Sequence, residues 1–479
     1  MKVLTKSNYL LGLECPRYLW SVVNKPDVVK GPSVSDKFNF EQGDLVGQLA
    51  KNLFPEGVDL PTDYIENIKK SEEFLNSGKP LFEAGFEFNN CFSRADVLVP
   101  SEDGWDIVEV KSATKTKDVN IHDVSFQKYV YEGKGLKINK TYLLHLNNEF
   151  VKNGEIDFNE LFVREDVTEQ VEEAVKDIDK RILDVFSFIS SPSPPDAALA
   201  KAKLVKDGFH DCIKDGCVSL PENHVFCLYR GGKLSCELFE NGFEVIKDIP
   251  EDVRLNGKQK IQRECELSGE VYVDRDGIKN FLGKLEYPIH YLDFETFSTA
   301  IPMFDGLKPY SVVPFQFSLH VDDKENVNHY EFLYEGSGDP RREFLEALKE
   351  SLGDSGSVVV YNQSFEIGRL KELAEAFPEH KKWIENVLKR IIDLLIPFRE
   401  FSYYNPKQQG SASIKKVLPA LCGKSYEGME IGDGGTASVK FYNMAYNNGK
   451  DVREALLKYC ELDTLAEVMI VEKLREIVG

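Results

Sequence analysis

Residues 288–298 read PIHYLDFETFS. An apolar, β-branched and aromatic run ends here in two carboxylates two residues apart, and on a strand alternate side chains share a face, so Asp293 and Glu295 project together. Two charges that close repel by about 4 kcal/mol at an effective dielectric near 20. The pair is costly unless a divalent cation or a shared proton sits between its members. It reads either as a metal site or as a strand end with two solvated acids.

Downstream segments supply partners for the pair. Val358–Tyr361 is a short β-branched strand, and YNQSFEIGRL follows with Asn362 and Glu366 opening an amphipathic helix through Leu370 and Ala374. Near the C-terminus, YCELDTLAEV puts Tyr459 and Asp463 four residues apart, on one face of a helix. The order D-x-E, N-x-x-x-E, Y-x-x-x-D resembles the three-motif layout of the DnaQ-like 3′-5′ exonucleases in their tyrosine-containing branch. That resemblance implies a ribonuclease-H-like fold and a two-metal phosphodiesterase. Asp293, Glu295, Glu366 and Asp463 would hold two Mg²⁺ or Mn²⁺ ions roughly 3.5 to 4 Å apart, with Tyr459 orienting the attacking water. Glu366 stands where many members have Asp.

A second constellation lies upstream. Phe82–Phe88, Arg94–Val99 and Trp105–Lys111 (WDIVEVK) read as three strands. Asp96 precedes Glu109, and Glu109 alternates with Lys111, giving the D…E-x-K pattern of the PD-(D/E)xK nucleases. Two carboxylates would hold Mg²⁺ while the lysine positions water and stabilises developing charge. Gln127 and Tyr131 in HDVSFQKYVYEG lie one helical turn apart, which resembles the Q-x-x-x-Y helix of RecB-like nucleases or else only packs that helix. SNYLLGLECPRYLW and FEQGDLVGQLAKNLF resemble the opening helices of the CRISPR-associated RecB-like exonucleases. In those enzymes a His stands where this chain has Gly47, which leaves Glu41 or Glu83 as substitute ligands.

The same relatives hold an iron-sulfur cluster with one N-terminal cysteine and three near the end of the domain. Cys15, Cys212, Cys217 and Cys227 are the matching cysteines here, with zinc or no metal as the alternatives. Cys227 sits in the apolar run HVFCLY, where a small buried cysteine is the commoner role. Nine cysteines scattered over 479 residues do not make a disulfide framework and fit a reducing compartment.

The length implies two domains with connecting structure. Hydrophobic residues make up 42% and charged residues 29% of the chain, as in a soluble globular protein. No apolar run of membrane-spanning length occurs, and MKVLTKSNYLLGLECPR lacks a signal peptide's clean apolar core, so a cytoplasmic protein without a membrane partner is expected. The net charge of −21 argues against coating nucleic acid by bulk electrostatics. A nuclease needs only a local basic strip, for which Lys415, Lys416, Arg369 and Arg390 are candidates, with Phe294 and Phe297 either stacking a base or lying in the core.

The expected fold class is α/β. A RecB-like PD-(D/E)xK, restriction-endonuclease-like domain spans 1–199, a Cys-containing connector 200–285, and a DnaQ-like mixed-sheet domain 286–479. A long helix is expected around Glu169–Phe188 and a short meander near Val225–Ile246. YLDFETF, AIPMFDGLKPY, PFQFSLH and SIKKVLPAL extend the resemblance over nearly the whole chain, to an uncharacterised bacterial family that fuses these two nuclease domains. It implies a metal-dependent nuclease on DNA or, second, RNA. The alternatives are a nucleic-acid-binding or assembly subunit of a mobile-element or defence system with one or both sites inactive, and a phosphodiesterase acting on nucleotides or short oligonucleotides.

Overall fold

The acidic strand is the middle strand of a five-stranded sheet. The computed structural model describes residues 3–195 and 220–479. The chain divides into two units, Met1–Ser219 with Thr299–Ser311, and Leu220–Ser298 with Val312–Gly479. Both are mixed α/β.

The first unit is built on β1 (Leu4–Thr5), β2 (Val58–Asp59), β3 (Leu81–Phe88), β4 (Cys91–Ser101), β5 (Gly104–Lys111), β6 (Ile138–Leu146) and β7 (Phe162–Asp166). They run in the order β2-β3-β4-β5-β6-β7, with β1 parallel to β4. Asn89 and Asn90 both take positive φ and close the β3–β4 hairpin, a conformation that asparagine tolerates. β5 and β6 are parallel, so their connection must cross over, and the helix Asp118–Gly133 does so. It buries Val124, Phe126, Val130 and Tyr131 in a core shared with Ala84, Phe86, Ala95 and Leu143. That anchoring fixes which side chains the helix presents at the end of β5. The other sheet face, with Phe82, Val97, Val108 and Leu144, packs on Val46 and Ala50 of the helix Val34–Ala50.

In the second unit a two-stranded ladder pairs β8 (Tyr272–Val273) with β14 (Tyr403–Tyr404). The main sheet comprises β9 (Ile289–Phe297), β10 (Val313–Asp322), β11 (Val327–Leu333), β12 (Ser357–Val360) and β13 (Ile391–Asp393), in the order β11-β10-β9-β12-β13. β9, β10 and β11 are antiparallel neighbours, while β12 and β13 run parallel to β9. The period-2 pattern of β9 splits its side chains between two environments. Leu292 and Phe294 join a core with Phe344, Leu345, Leu348 and Leu370 from the helices Arg341–Ser351 and Ser364–Ala376. Asp293 and Glu295 take the opposite face, toward the helix Arg453–Val478. Gln316, in register with Glu295, donates to the Leu456 carbonyl at 2.9 Å and ties that helix to the sheet.

Three expectations are corrected. The helix expected around Glu169–Phe188 is two helices, Thr168–Val175 and Ile178–Ser190, the second entered through Asp177 in a non-helical conformation. Val225–Ile246 is not a meander. Leu234, Leu238 and Phe239 recur at helical spacing, forming the helix Gly232–Glu240 between two 3-10 turns. The connector is not separate either: its described part, 220–285, belongs to the second unit, where the helix Gly257–Ser268 carries Gln262 onto the Cys227 carbonyl. Residues 299–311 belong to the first unit, where Ala300 N–H donates to Gln42 and Lys152 pairs with Asp305. Among the described residues no helix is long and apolar enough to cross a membrane.

The start of β9 depends on Gly356, whose φ is +78° and where a Cβ would lie 1.9 Å from the Pro288 carbonyl oxygen. Gly356→Ala is expected to destabilise the second unit by more than about 1 kcal/mol, since Ala at positive φ costs more than it gains in the unfolded chain. A urea midpoint equal to wild type would contradict this.

Candidate functional site

In the second unit the three sequence segments converge on one cavity of about 350 Å³. β9 contributes Asp293 and Glu295. β12 ends at Val360, and Asn362, at φ +78°, turns the chain into the helix Ser364–Ala376, whose first turn carries Glu366. Asp393 stabilises that turn by accepting from the N–H groups of Asn362 and Leu395, both at 3.0 Å. The helix Arg453–Val478 presents Tyr459, Asp463 and Glu467 at four-residue steps, one above the other on one face. Lys415, from the helix Ile414–Cys422, is the one cation among the lining residues.

Glu295, Glu366, Asp463 and Glu467 are all buried. Isolated buried carboxylates favour their protonated forms. Burial raises Asp293 well above the ordinary range, and Asp463, Glu295 and Glu366 add repulsion. Glu295 is raised by burial and by Asp463. Burial lifts Glu366 to about 8 and Asp463 to about 6. Asp463 is partly relieved by the Tyr426 hydroxyl, which donates to its Oδ1 at 2.6 Å. Glu366 Oε2 and both oxygens of Glu467 have no hydrogen-bond partner. Burial and Asp463 raise the Tyr459 phenol, so its hydroxyl keeps its proton as a donor. Ligand atoms of Asp293, Glu295 and Cys460 lie within 4.8 Å of one another, the Cys460 thiol also being raised by burial. Crowded, underpartnered oxygen donors of this kind fit hard divalent cations such as Mg²⁺ or Mn²⁺.

The first unit brings Asp96 of β4 and Glu109 and Lys111 of β5 to a cavity of about 420 Å³, and Gln127 of the helix Asp118–Gly133 reaches Glu109. Here the acids are already partnered. Asp96 accepts from Val110 N–H at 2.6 Å. Glu109 Oε1 accepts from Lys111 and Lys6, both at 2.7 Å, and its Oε2 from Gln127 at 2.7 Å. Asp123 accepts from Lys111 at 2.6 Å and from Gln127 at 2.9 Å. Of the two substitutes for the missing histidine, Glu83 lines the cavity and is raised by burial, whereas Glu41 is exposed and not among the lining residues. Gly47 also lines it, with open space where a side chain would begin.

Sequence reading missed Asp123, Lys6, Tyr426 and Glu467. Asp123 and Glu467 each stand four residues along a helix from a residue already singled out, Gln127 and Asp463, so helical spacing held the signal. Lys6 and Tyr426 arrive from distant segments and leave no local trace. Tyr131 is corrected from catalytic residue to brace. Its buried hydroxyl donates to the Ala84 carbonyl of β3 and accepts from Ala95 N–H of β4.

The remaining candidates take the following places. Phe294 lies in the core against Phe344, and Phe297 is buried among Phe315, Phe441 and Tyr446, so neither ring is available to stack a base. Arg390 is turned onto the carbonyls of Gly353, Ser355 and Gly356, Arg369 pairs with Glu372, and Lys416 donates to Gln409. Cys212 and Cys217 lie outside the described residues. Cys15 caps the helix Pro16–Asn24, its sulfur accepting from Tyr18 N–H. Cys227 is half-buried with its thiol raised to about 11 by burial, and its sulfur lies 3.6 Å from a His224 ring nitrogen. Among the described residues the cysteines converge on no metal site apart from Cys460.

Residues 290–413 match a domain of unknown function, DUF2779. The matched stretch contains Asp293, Glu295 and Glu366 and ends before Asp463. Similar curated proteins include the uncharacterized protein MG366 of Mycoplasma genitalium, 30% identical over 225 residues, which cover 42% of this chain and 34% of that protein. The MG366 homolog of Mycoplasma pneumoniae is 29% identical, over 40% of this chain and 33% of the relative. The uncharacterized protein UU173 of Ureaplasma parvum is 27% identical, over 40% and 32%. The chain spans about a third of the length of these relatives.

Two predictions follow from the geometry. Tyr131→Phe, which leaves two buried backbone groups short of a partner, is expected to cost about 1 to 3 kcal/mol in denaturant unfolding of the first unit; a change below about 0.5 kcal/mol would refute the bracing role. In metal-free protein, Glu366 keeps its proton to about pH 8 in the fold and releases it near 4.5 when unfolded. Its stabilising contribution is therefore fully present below about 4.5 and lost as pH rises through 8. Adding Mn²⁺ should raise the thermal midpoint more at pH 8 than at pH 6, and an equal gain at both would count against a metal-binding carboxylate cluster.

Proposed function

We propose that the chain is a metal-dependent nuclease that hydrolyses nucleic-acid phosphodiesters, DNA before RNA, with a 3′-5′ exonuclease site in the second unit. The observation that carries this reading is a cavity lined by five acids, four of them buried, against a single lysine, with three carboxylate oxygens left without partners. Burying that much like charge is costly unless cations are there to meet it. The sheet, with three antiparallel strands followed by two parallel ones, agrees with a ribonuclease-H-like, DnaQ-like domain.

Asp293, Glu295, Glu366 and Asp463 would hold the ions. When bound, a pair of Mg²⁺ or Mn²⁺ supplies activated water and stabilises charge on the departing 3′ oxygen. The residues of the chain do the rest. Tyr459, a protonated donor on the wall of the cavity, orients the attacking water. Tyr426 holds Asp463 in its rotamer. Lys415, which lowers the proton affinity of Glu295 and Asp463, faces the incoming phosphate.

The first unit agrees with a RecB-like PD-(D/E)xK domain in its D…E-x-K placement and in the reach of Gln127 to Glu109. One observation favours the second reading there, a nucleic-acid-binding or assembly role within a mobile-element or defence system with that site inactive. Both oxygens of Glu109 are already taken, by two lysines and a glutamine.

The test is hydrolysis of end-labelled single-stranded DNA, duplex DNA and RNA with Mg²⁺, Mn²⁺ or a chelator. Asp293→Ala should lower 3′ trimming at least about a hundredfold, the scale of losing a positioned electrostatic group. Lys111→Ala should remove a distinct product pattern if the first site is hydrolytic and leave cleavage unchanged if it only binds. Metal-independent trimming, or trimming intact in Asp293→Ala, would sink the assignment.

A further inference from the structure

Glu467 is absent from the three-motif layout that suggests the second-unit site. It stands one helical turn beyond Asp463 on the helix Arg453–Val478 and lines the same cavity as Asp293, Glu366 and Asp463. Its side chain is among the most deeply buried acids in the described residues, at 1% exposure. Neither oxygen has a hydrogen-bond partner. A buried carboxylate ordinarily satisfies its oxygens with N–H or O–H donors, as Asp393 does with two backbone amides in the same unit. Glu467 has no such donors and faces a wall of other acids.

Resting on the reading of this cavity as a metal site, we propose that Glu467 is a fifth carboxylate ligand of the divalent-cation site. A structural glutamate would be expected to bring its own donors, so an orphaned acid at this depth points to a cation as its partner. The charge count agrees. Two divalent ions balance Asp293, Glu295, Glu366 and Asp463, and the additional negative charge of Glu467 is matched by Lys415 on the same cavity. More carboxylates around a hard cation raise its affinity. The fifth acid therefore makes occupancy of the second ion position less dependent on the substrate phosphate.

The test is Mn²⁺ titration of the full chain by calorimetry, with free Mn²⁺ counted by electron paramagnetic resonance. An Asp96→Asn background confines the reading to the second unit. Glu467→Gln keeps the shape and removes the charge. It should weaken Mn²⁺ binding at least about tenfold or reduce two ions to one, with a cooperative thermal transition retained. Glu467→Asp, which sets the charge one methylene back, should recover part of the affinity and serves as the reading if the Gln variant does not fold. Affinity and stoichiometry unchanged in Glu467→Gln, with binding lost in Asp293→Asn, would overturn the inference and leave the metal site standing. If the folded background protein takes up no Mn²⁺ at all, the metal-site reading and the inference fall together.

Discussion

Concentrated negative charge in one cavity is the constraint on which the second unit depends. Five acids brought together between a sheet and four helices oppose folding, since each must be desolvated and each repels the others. The surroundings must therefore hold them in place without help from the acids themselves. The apolar face of β9 does this through Leu292 and Phe294, which bury against the helices Arg341–Ser351 and Ser364–Ala376. The opposing helix is fixed by Gln316 on the Leu456 carbonyl and by Thr464 bonded to Ser318 and His320. Hydrophobic burial on one side of the strand thus offsets electrostatic cost on the other. That division is what the alternation of PIHYLDFETFS encodes.

The first unit solves the same problem differently. Asp96, Glu109 and Asp123 are as deeply placed, yet Lys6, Lys111, Gln127 and a backbone amide occupy their oxygens. Lys6 and Lys111 are held charged by Asp123 and Glu109 despite burial. Two ammonium groups thus offset two of the three carboxylates within the network itself. An ion entering it would compete with two ammonium groups for Glu109. Similar residue types therefore give one cluster with unpartnered carboxylate oxygens and another whose acids meet ammonium groups of the chain itself, and the difference lies in the hydrogen bonds rather than in the motif.

What was legible in the sequence follows from how local the signal was. β9, β10 and β11 stand out as runs rich in β-branched and aromatic residues, and the helix Arg453–Val478 by apolar residues recurring every three to four positions. Asp293 with Glu295, and Tyr459 with Asp463, are visible as spacings within single elements. The meander expected at Val225–Ile246 gives way to a helix because Leu234, Leu238 and Phe239 recur at helical spacing within a segment too short to separate helix from strand by its apolar residues alone. The unit boundary was missed because residues 299–311 are assigned by tertiary contacts such as Gln42 with Ala300, which no composition shift announces. Tyr131 was misjudged because a helix places it one turn from Gln127, while the depth of the core decides that its hydroxyl serves backbone groups.

Glu467 shows where residue spacing stops being sufficient. Four residues beyond Asp463, it fits the helical face as well as Tyr459 does, but a glutamate at that spacing is as readily a solvated surface residue. Only burial separates the two cases, and burial is a property of the packed unit. Once Ile470, Val471 and Leu474 anchor the end of the helix in the core, the face carrying Tyr459 and Asp463 cannot rotate to let Glu467 reach water. The carboxylate is then committed to the cavity by the same apolar contacts that position Asp463. An acid held there without a donor either keeps its proton or meets a cation, so the charge balance of the site has to be argued with five acids and Lys415, not with the four that the motif spacing reveals.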